Sequence, residues 1–204
     1  MEEQKQQILV TALELFKKYG IKSVSIEDIS HEMSMSKKTF YQYFQSKEEL
    51  IEAVLNYMTE YSQHAAQDYM RGKSTLDCIK LLMDMHKKVS EVHKEPVMGY
   101  DLRKYYPQLY KKYMHNLHTG TKNIIEQHLH KGIEEGIYRS DLDVEMCAIM
   151  YSMIQQAYIR DEEEIRTVNP KRMMQFIMES FFRSIISKEG IQQAKELLNK
   201  KTNK

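Results

Sequence analysis

Apolar residues recur at helical spacing through nearly the whole chain, the pattern of helices that each lay one face on a core. From Glu3 to Tyr19, residues Ile8, Ala12, Leu15, Phe16 and Tyr19 fall on one side, and Gly20 stands where a left-handed residue would end the helix. The elements then shorten. Ser25 is a good N-cap with Asp28 as its capping-box partner, and Ile26, Ile29 and Met33 share the next apolar face. Met33-Ser34-Met35 leaves room only for a turn. Ser36 caps a second short helix, Lys37 to Phe44, with Phe40 and Phe44 inward and Lys37, Lys38, Thr39, Tyr41, Gln42 and Tyr43 facing partly or wholly outward.

Ser46 opens a long helix at Lys47, with Glu48 and Glu49 in the first turn, where the helix dipole favours acids. Its stripe of Leu50, Ile51, Val54, Leu55, Met58 and Tyr61 carries it to about Met70. Ser74 or Thr75 caps the next helix, which runs to about Lys94. Pro96 and Pro107 bracket a segment that cannot be one straight helix, so a short helix over Asp101–Pro107 and a long one from Gln108 to Glu135, stopped by Gly136, are expected. After the turn Ile137–Asp141, the stretches Val144–Tyr158 and Lys171–Ser187 are apolar on more than one face. Two such helices cannot both lie inside so small a chain. One face of each should close the protomer and another should meet a second copy in a four-helix bundle. Cys147, Tyr151, Ile154, Tyr158, Met174, Ile177, Phe181 and Ile185 are the candidate dimer residues. Gly190 and a lysine-rich end close the chain with a short helix.

Composition agrees with an all-α protein: 204 residues with only three prolines and seven glycines. The net charge is +1, and residues 1–47 hold seven lysines against six acids, so any nucleic-acid contact must rest on local placement. Cys78 and Cys147 are isolated in apolar segments and read as small hydrophobes. The amino terminus lacks a cationic-then-apolar leader, and no run approaches the 18 apolar residues of a membrane span, so a cytoplasmic protein is expected.

Two helices joined by a tight turn form the helix-turn-helix unit, whose second helix enters the DNA major groove. Two ordinary packed helices would give the same spacing. The outward set goes further, because it combines phosphate donors (Lys, Thr, Tyr) with a base reader (Gln) on one short helix. Lys47, at a helix start whose backbone N–H groups point the same way, is a further phosphate contact.

The run from Ile8 to Leu55 strongly resembles the N-terminal domain of the tetracycline-repressor (TetR) family of bacterial transcription regulators. The most specific part is Ser36-Lys37-Lys38-Thr39-Phe40-Tyr41-Gln42-Tyr43-Phe44, followed by Ser46-Lys47-Glu48-Glu49-Leu50. The family usually carries Gly in the turn where this chain has Ser34, which would be strained at a positive φ. The resemblance implies an all-α protein with a helix-turn-helix domain at 1–46 and a helical ligand-binding and dimerisation domain at 47–204. It also implies a ligand-responsive regulator, most often a repressor, that binds a palindromic DNA operator as a homodimer. Lys37–Tyr43 would enter the major groove, with Lys38, Thr39 and Gln42 at base edges or nearby phosphates, while Ser25, Tyr41, Tyr43 and Lys47 would mainly hold the DNA backbone.

Tyrosine and methionine crowd the proline-broken region, including Met98, Tyr100, Tyr105, Tyr106, Tyr110, Tyr113 and Met114. Core packing explains each of them singly. Together with Met83, His86 and Met150, the residues Tyr106, Tyr110 and Met114 are candidates to line a cavity for an apolar or aromatic effector, which the resemblance also implies. Eight histidines make no metal site at recognisable spacing, and no catalytic motif or cofactor loop is present. An all-helical small-molecule binder without DNA binding is the alternative, and an enzyme with a Tyr/His site within Pro96–Met114 is a third reading.

Overall fold

The computed structural model describes residues 2–89, 97–160 and 170–202, with side chains of 83–89, 155–160, 170–171, 174 and 196–202 left aside. Among the described residues every regular element is a helix: α1 (Glu2–Tyr19), α2 (Ile26–Glu32), α3 (Lys37–Phe40), α4 (Lys47–Met70), α5 (Thr75–Val89), α6 (Val97–Tyr105), α7 (Pro107–Glu134), α8 (Val144–Arg160), α9 (Pro170–Ile185) and α10 (Lys188–Thr202). They fall into two compact units, one within Met1–Ser62 and Lys94–Leu117, the other within Gln63–His93 and His118–Lys204.

The first unit closes around Ile8, Ala12 and Phe16 of α1, Ile29 of α2, Phe40 of α3, Phe44 after it, and Leu50, Ile51, Val54 and Leu55 of α4, all buried. Each large apolar side chain so buried contributes about 1.5–3 kcal/mol. This fastens the two very short helices α2 and α3, which could not persist alone. Gly20, at φ +87°, ends α1 as expected, and its N–H donates to the Phe16 carbonyl at 3.0 Å. It has a second reason to be glycine. A Cβ there would lie 2.6 Å from Oδ2 of Asp101 on α6. Asp101 is buried and accepts the Lys22 backbone N–H at 2.8 Å, so a carboxylate from α6 ties down the turn between α1 and α2.

The second unit packs Ile125 and Leu129 of α7, Tyr151 of α8, and Met178, Phe181 and Ile185 of α9 around Tyr138. Tyr138 lies in the expected turn yet is 1% exposed, with its hydroxyl 2.7 Å from His128 Nε2 in a hydrogen bond. Gly132 leaves room for that ring, and Tyr138 pairs with Ile186 in an isolated antiparallel bridge. Sequence periodicity has no signal for a tyrosine turned inward from a loop.

Several expected boundaries shift. The short helix starts at Val97 rather than Asp101, and α7 starts at Pro107 itself, where proline's missing N–H costs nothing. Tyr19, read as inward, is 50% exposed. The expected end of α5 near Lys94 and the run 161–166 fall outside the described residues.

Candidate nucleic-acid interface

Local capping fixes the geometry of α2 and α3. Ser25 Oγ accepts the Asp28 N–H at 3.1 Å, while the Asp28 carboxylate accepts both the backbone N–H and the hydroxyl of Ser25 at 2.7 Å. These bonds hold the Asp28 carboxyl below its usual range. The turn follows with Ser34 at φ +52°, the left-handed conformation that glycine adopts without strain. Its N–H donates to the His31 carbonyl at 3.0 Å and that of Met35 to Ser30 at 2.9 Å, so the turn is fully bonded despite the serine.

Ser36 caps α3 by accepting the Thr39 N–H at 3.0 Å. The helix is shorter than Lys37–Phe44: after Phe40 the chain tightens into turns in which Gln42 and Tyr43 donate to Thr39 and Phe40 at 3.1 and 2.9 Å. Phe40 and Phe44 both remain buried, with ring centroids 5.9 Å apart, and fix this segment to the core.

The predicted contact residues divide into two groups by what their polar atoms already do. Ser25 is spent on the capping box. Thr39 Oγ1 lies 2.9 Å from Ser36 Oγ, and the Tyr43 hydroxyl donates to Gln4 Oε1 at 2.8 Å. Lys37 Nζ donates to Glu27 Oε2 at 2.7 Å, and this bond raises the lysine's pKa. In contrast, Lys38, Tyr41 and Gln42 are exposed, and their polar side-chain atoms have no hydrogen-bond or ion-pair partner among the described residues. These three are exposed groups free to meet a ligand. Lys47 is half-buried at the start of α4; burial lowers its pKa, opposed by the nearby carboxylates of Asp101 and Asp28.

Sequence reasoning missed Gln4, Lys5 and Glu27. Gln4 and Lys5 meet the segment from far along the chain, the lysine ammonium lying 5.4 Å from the centre of the Phe44 ring. No local spacing signals such a contact.

The other candidates fall in both units. Tyr106 and Tyr110 pack against the core of the first unit, in which Met114 is also buried; burial raises the Tyr106 pKa. Met150 belongs to the second unit and is 42% exposed, on one face of α8 with the exposed Met146 and Met153. Met83, His86, Tyr158 and Met174 lie outside the described side chains. Of the dimer candidates, Tyr151, Phe181 and Ile185 are buried within one protomer, because the α8 and α9 faces that carry them form the core of the second unit. Cys147, Ile154 and Ile177 are half-buried. The apolar surface left open is carried by the three methionines of α8 and by Phe176 of α9.

No group of three or more His, Cys, Asp or Glu able to hold a metal occurs among the described residues. No helix among them is long and apolar enough to cross a membrane.

Residues 8–54 match the family model described as bacterial regulatory proteins, tetR family. The chain is 46% identical over 57 residues to the uncharacterized HTH-type transcriptional regulator YuxN of Bacillus subtilis (strain 168), a match covering 28% of this chain and only 20% of that protein. It is 26% identical over 204 residues to a second such regulator of that organism, YerO, covering 93% of this chain and 71% of that protein. Among solved structures, a TetR transcription regulator from Haloarcula marismortui shares the fold with a TM-score of 0.68 at 18% identity, over 92% of this chain and 100% of that one. The capped helix-turn-helix at residues 25–47 thus lies within a segment that matches the tetR family of bacterial regulatory proteins, and the all-helical fold beyond it is like that of the Haloarcula marismortui regulator.

Proposed function

We propose that this protein is a ligand-responsive transcription regulator, a repressor, that binds a palindromic operator as a homodimer and has no enzymatic activity. The observation that carries this reading is the exposed trio Lys38, Tyr41 and Gln42, presented by a short segment that Ser36 and two buried phenylalanines hold rigid. A base-reading amide beside a phosphate-binding cation is what major-groove recognition needs. Residues 1–46 act as the reading head and residues 47–204 bind the effector and the second copy.

The open methionines of α8 and Phe176 of α9 are the face that the partner covers, since apolar side chains so exposed are costly in a monomer. A two-fold dimer sets the distance between two reading heads, and half-sites must lie one helical turn, about 34–36 Å, or a multiple apart. The unbroken α4, Lys47–Met70, begins at a DNA contact and continues into the regulatory part. An apolar or aromatic effector that prefers one dimer geometry would shift it, and a coupling of about 1–3 kcal/mol suffices for regulation. Tyr106, Tyr110 and Met114 are the described residues we assign to effector contact. The protein acts in the cytoplasm, where its operator is.

A salt-dependent gel shift with the DNA upstream of the protein's own gene tests this reading. A retarded complex that competitor DNA of random sequence fails to displace supports it; displacement by random DNA at equal concentration refutes it.

A further inference from the structure

Residues 25–47 hold three lysines, Lys37, Lys38 and Lys47, and three acids, Glu27, Asp28 and Glu32. A DNA-binding segment with no net charge must control which of its cations reach phosphates. Asp28 is committed to the cap of α2, and no hydrogen bond joins Glu27 to that cap. Glu27 instead reaches across to α3 and takes the Lys37 ammonium at 2.7 Å, both side chains lying open to solvent at 72% and 52%. The neighbouring Lys38 has no ion pair among the described residues.

We infer that Glu27 is a specificity-determining residue whose carboxylate withholds the Lys37 ammonium from the phosphates of non-operator DNA. The inference rests on the DNA-binding reading above. Non-specific association is almost wholly electrostatic and draws on any cation that can reach a phosphate, so releasing Lys37 adds one contact there. In the operator complex the register is set by Lys38, Tyr41 and Gln42, and the Glu27–Lys37 pair stays closed as a tie between α2 and α3. The pair therefore lowers the background without lowering the signal.

Binding of the full chain to its upstream DNA and to a scrambled duplex, followed by fluorescence anisotropy across a salt series, tests this. Wild type, Glu27→Gln, Lys37→Gln and the double variant are compared, with circular dichroism to check folding. One added phosphate contact steepens the log–log salt slope by about 0.9, which near 0.15 M salt is roughly a five-fold gain in affinity. Glu27→Gln should show that gain on the scrambled duplex, change operator affinity less than two-fold, and lose the gain in the Lys37→Gln background. An unchanged scrambled-duplex affinity, an equal gain on both duplexes, or a gain that persists without Lys37 overturns the inference. A loss confined to the operator would make Glu27 a base reader and overturn it too. If the wild type binds neither duplex, the DNA-binding reading itself fails, and that outcome is visible before any substitution is compared.

Discussion

Gln42 stands exposed just beyond α3, with a carboxamide that both donates and accepts. That pairing matches the N6 and N7 edge of adenine, and a good bidentate contact discriminates by about 1–3 kcal/mol. Gln42→Ala should relax sequence preference at one base pair by that amount while leaving scrambled-DNA affinity unchanged; equal losses on both would remove Gln42 from the readout. That Lys38, Tyr41 and Gln42 face outward was legible in the sequence, because the spacing turns Phe40 and Phe44 to the core. Their engagement was not. Thr39, Tyr43 and Lys37 look equally available in the sequence, yet each is held by a partner, and two of those partners, Gln4 and Glu27, come from other helices.

At the scale of the element, the helix-turn-helix is over-determined by its caps and carries one local cost. Ser34 holds φ +52°, where a side chain costs about 1–2 kcal/mol, partly offset by the greater freedom glycine would lose on folding. Ser34→Gly should therefore stabilise the fold by about 0.5–1 kcal/mol, read as a higher urea midpoint at unchanged slope. A lower midpoint would mean that the serine makes a compensating contact. The strain was foreseeable through the family resemblance, in which glycine usually stands where this chain has Ser34. The early end of α3 was not, because Phe40 and Phe44 are buried alike whether the segment continues as helix or tightens into turns. Asp101 was equally hidden: only the fold brings this carboxylate of α6 to the Lys22 N–H.

For the whole molecule, the second unit stakes its stability on a buried histidine. Burial, with the nearby Lys131 cation, lowers the His128 pKa from 6.5 to about 4. The unfolded chain therefore takes up the proton first, so stability is intact above about pH 6.5 and is lost progressively as pH falls towards 4, by about 3 kcal/mol in all. Thermal melts at pH 7 and pH 5 should differ more for wild type than for His128→Gln; equal shifts would contradict this. The assembly has its own test. Met150→Asp places a charge on the open face of α8, and sedimentation should show a folded monomer; an unchanged dimer would move the interface elsewhere. That α8 and α9 carry apolar residues on more than one face was plain from their sequence. Which side faces inward was not, because on helices apolar all round the spacing assigns no face. The most direct measurement of the central claim is the salt-dependent gel shift with the protein's own upstream DNA and a scrambled competitor. We predict a specific complex containing two copies of the chain, weakening steeply as salt rises; no complex, or one that random DNA displaces equally well, would contradict the account.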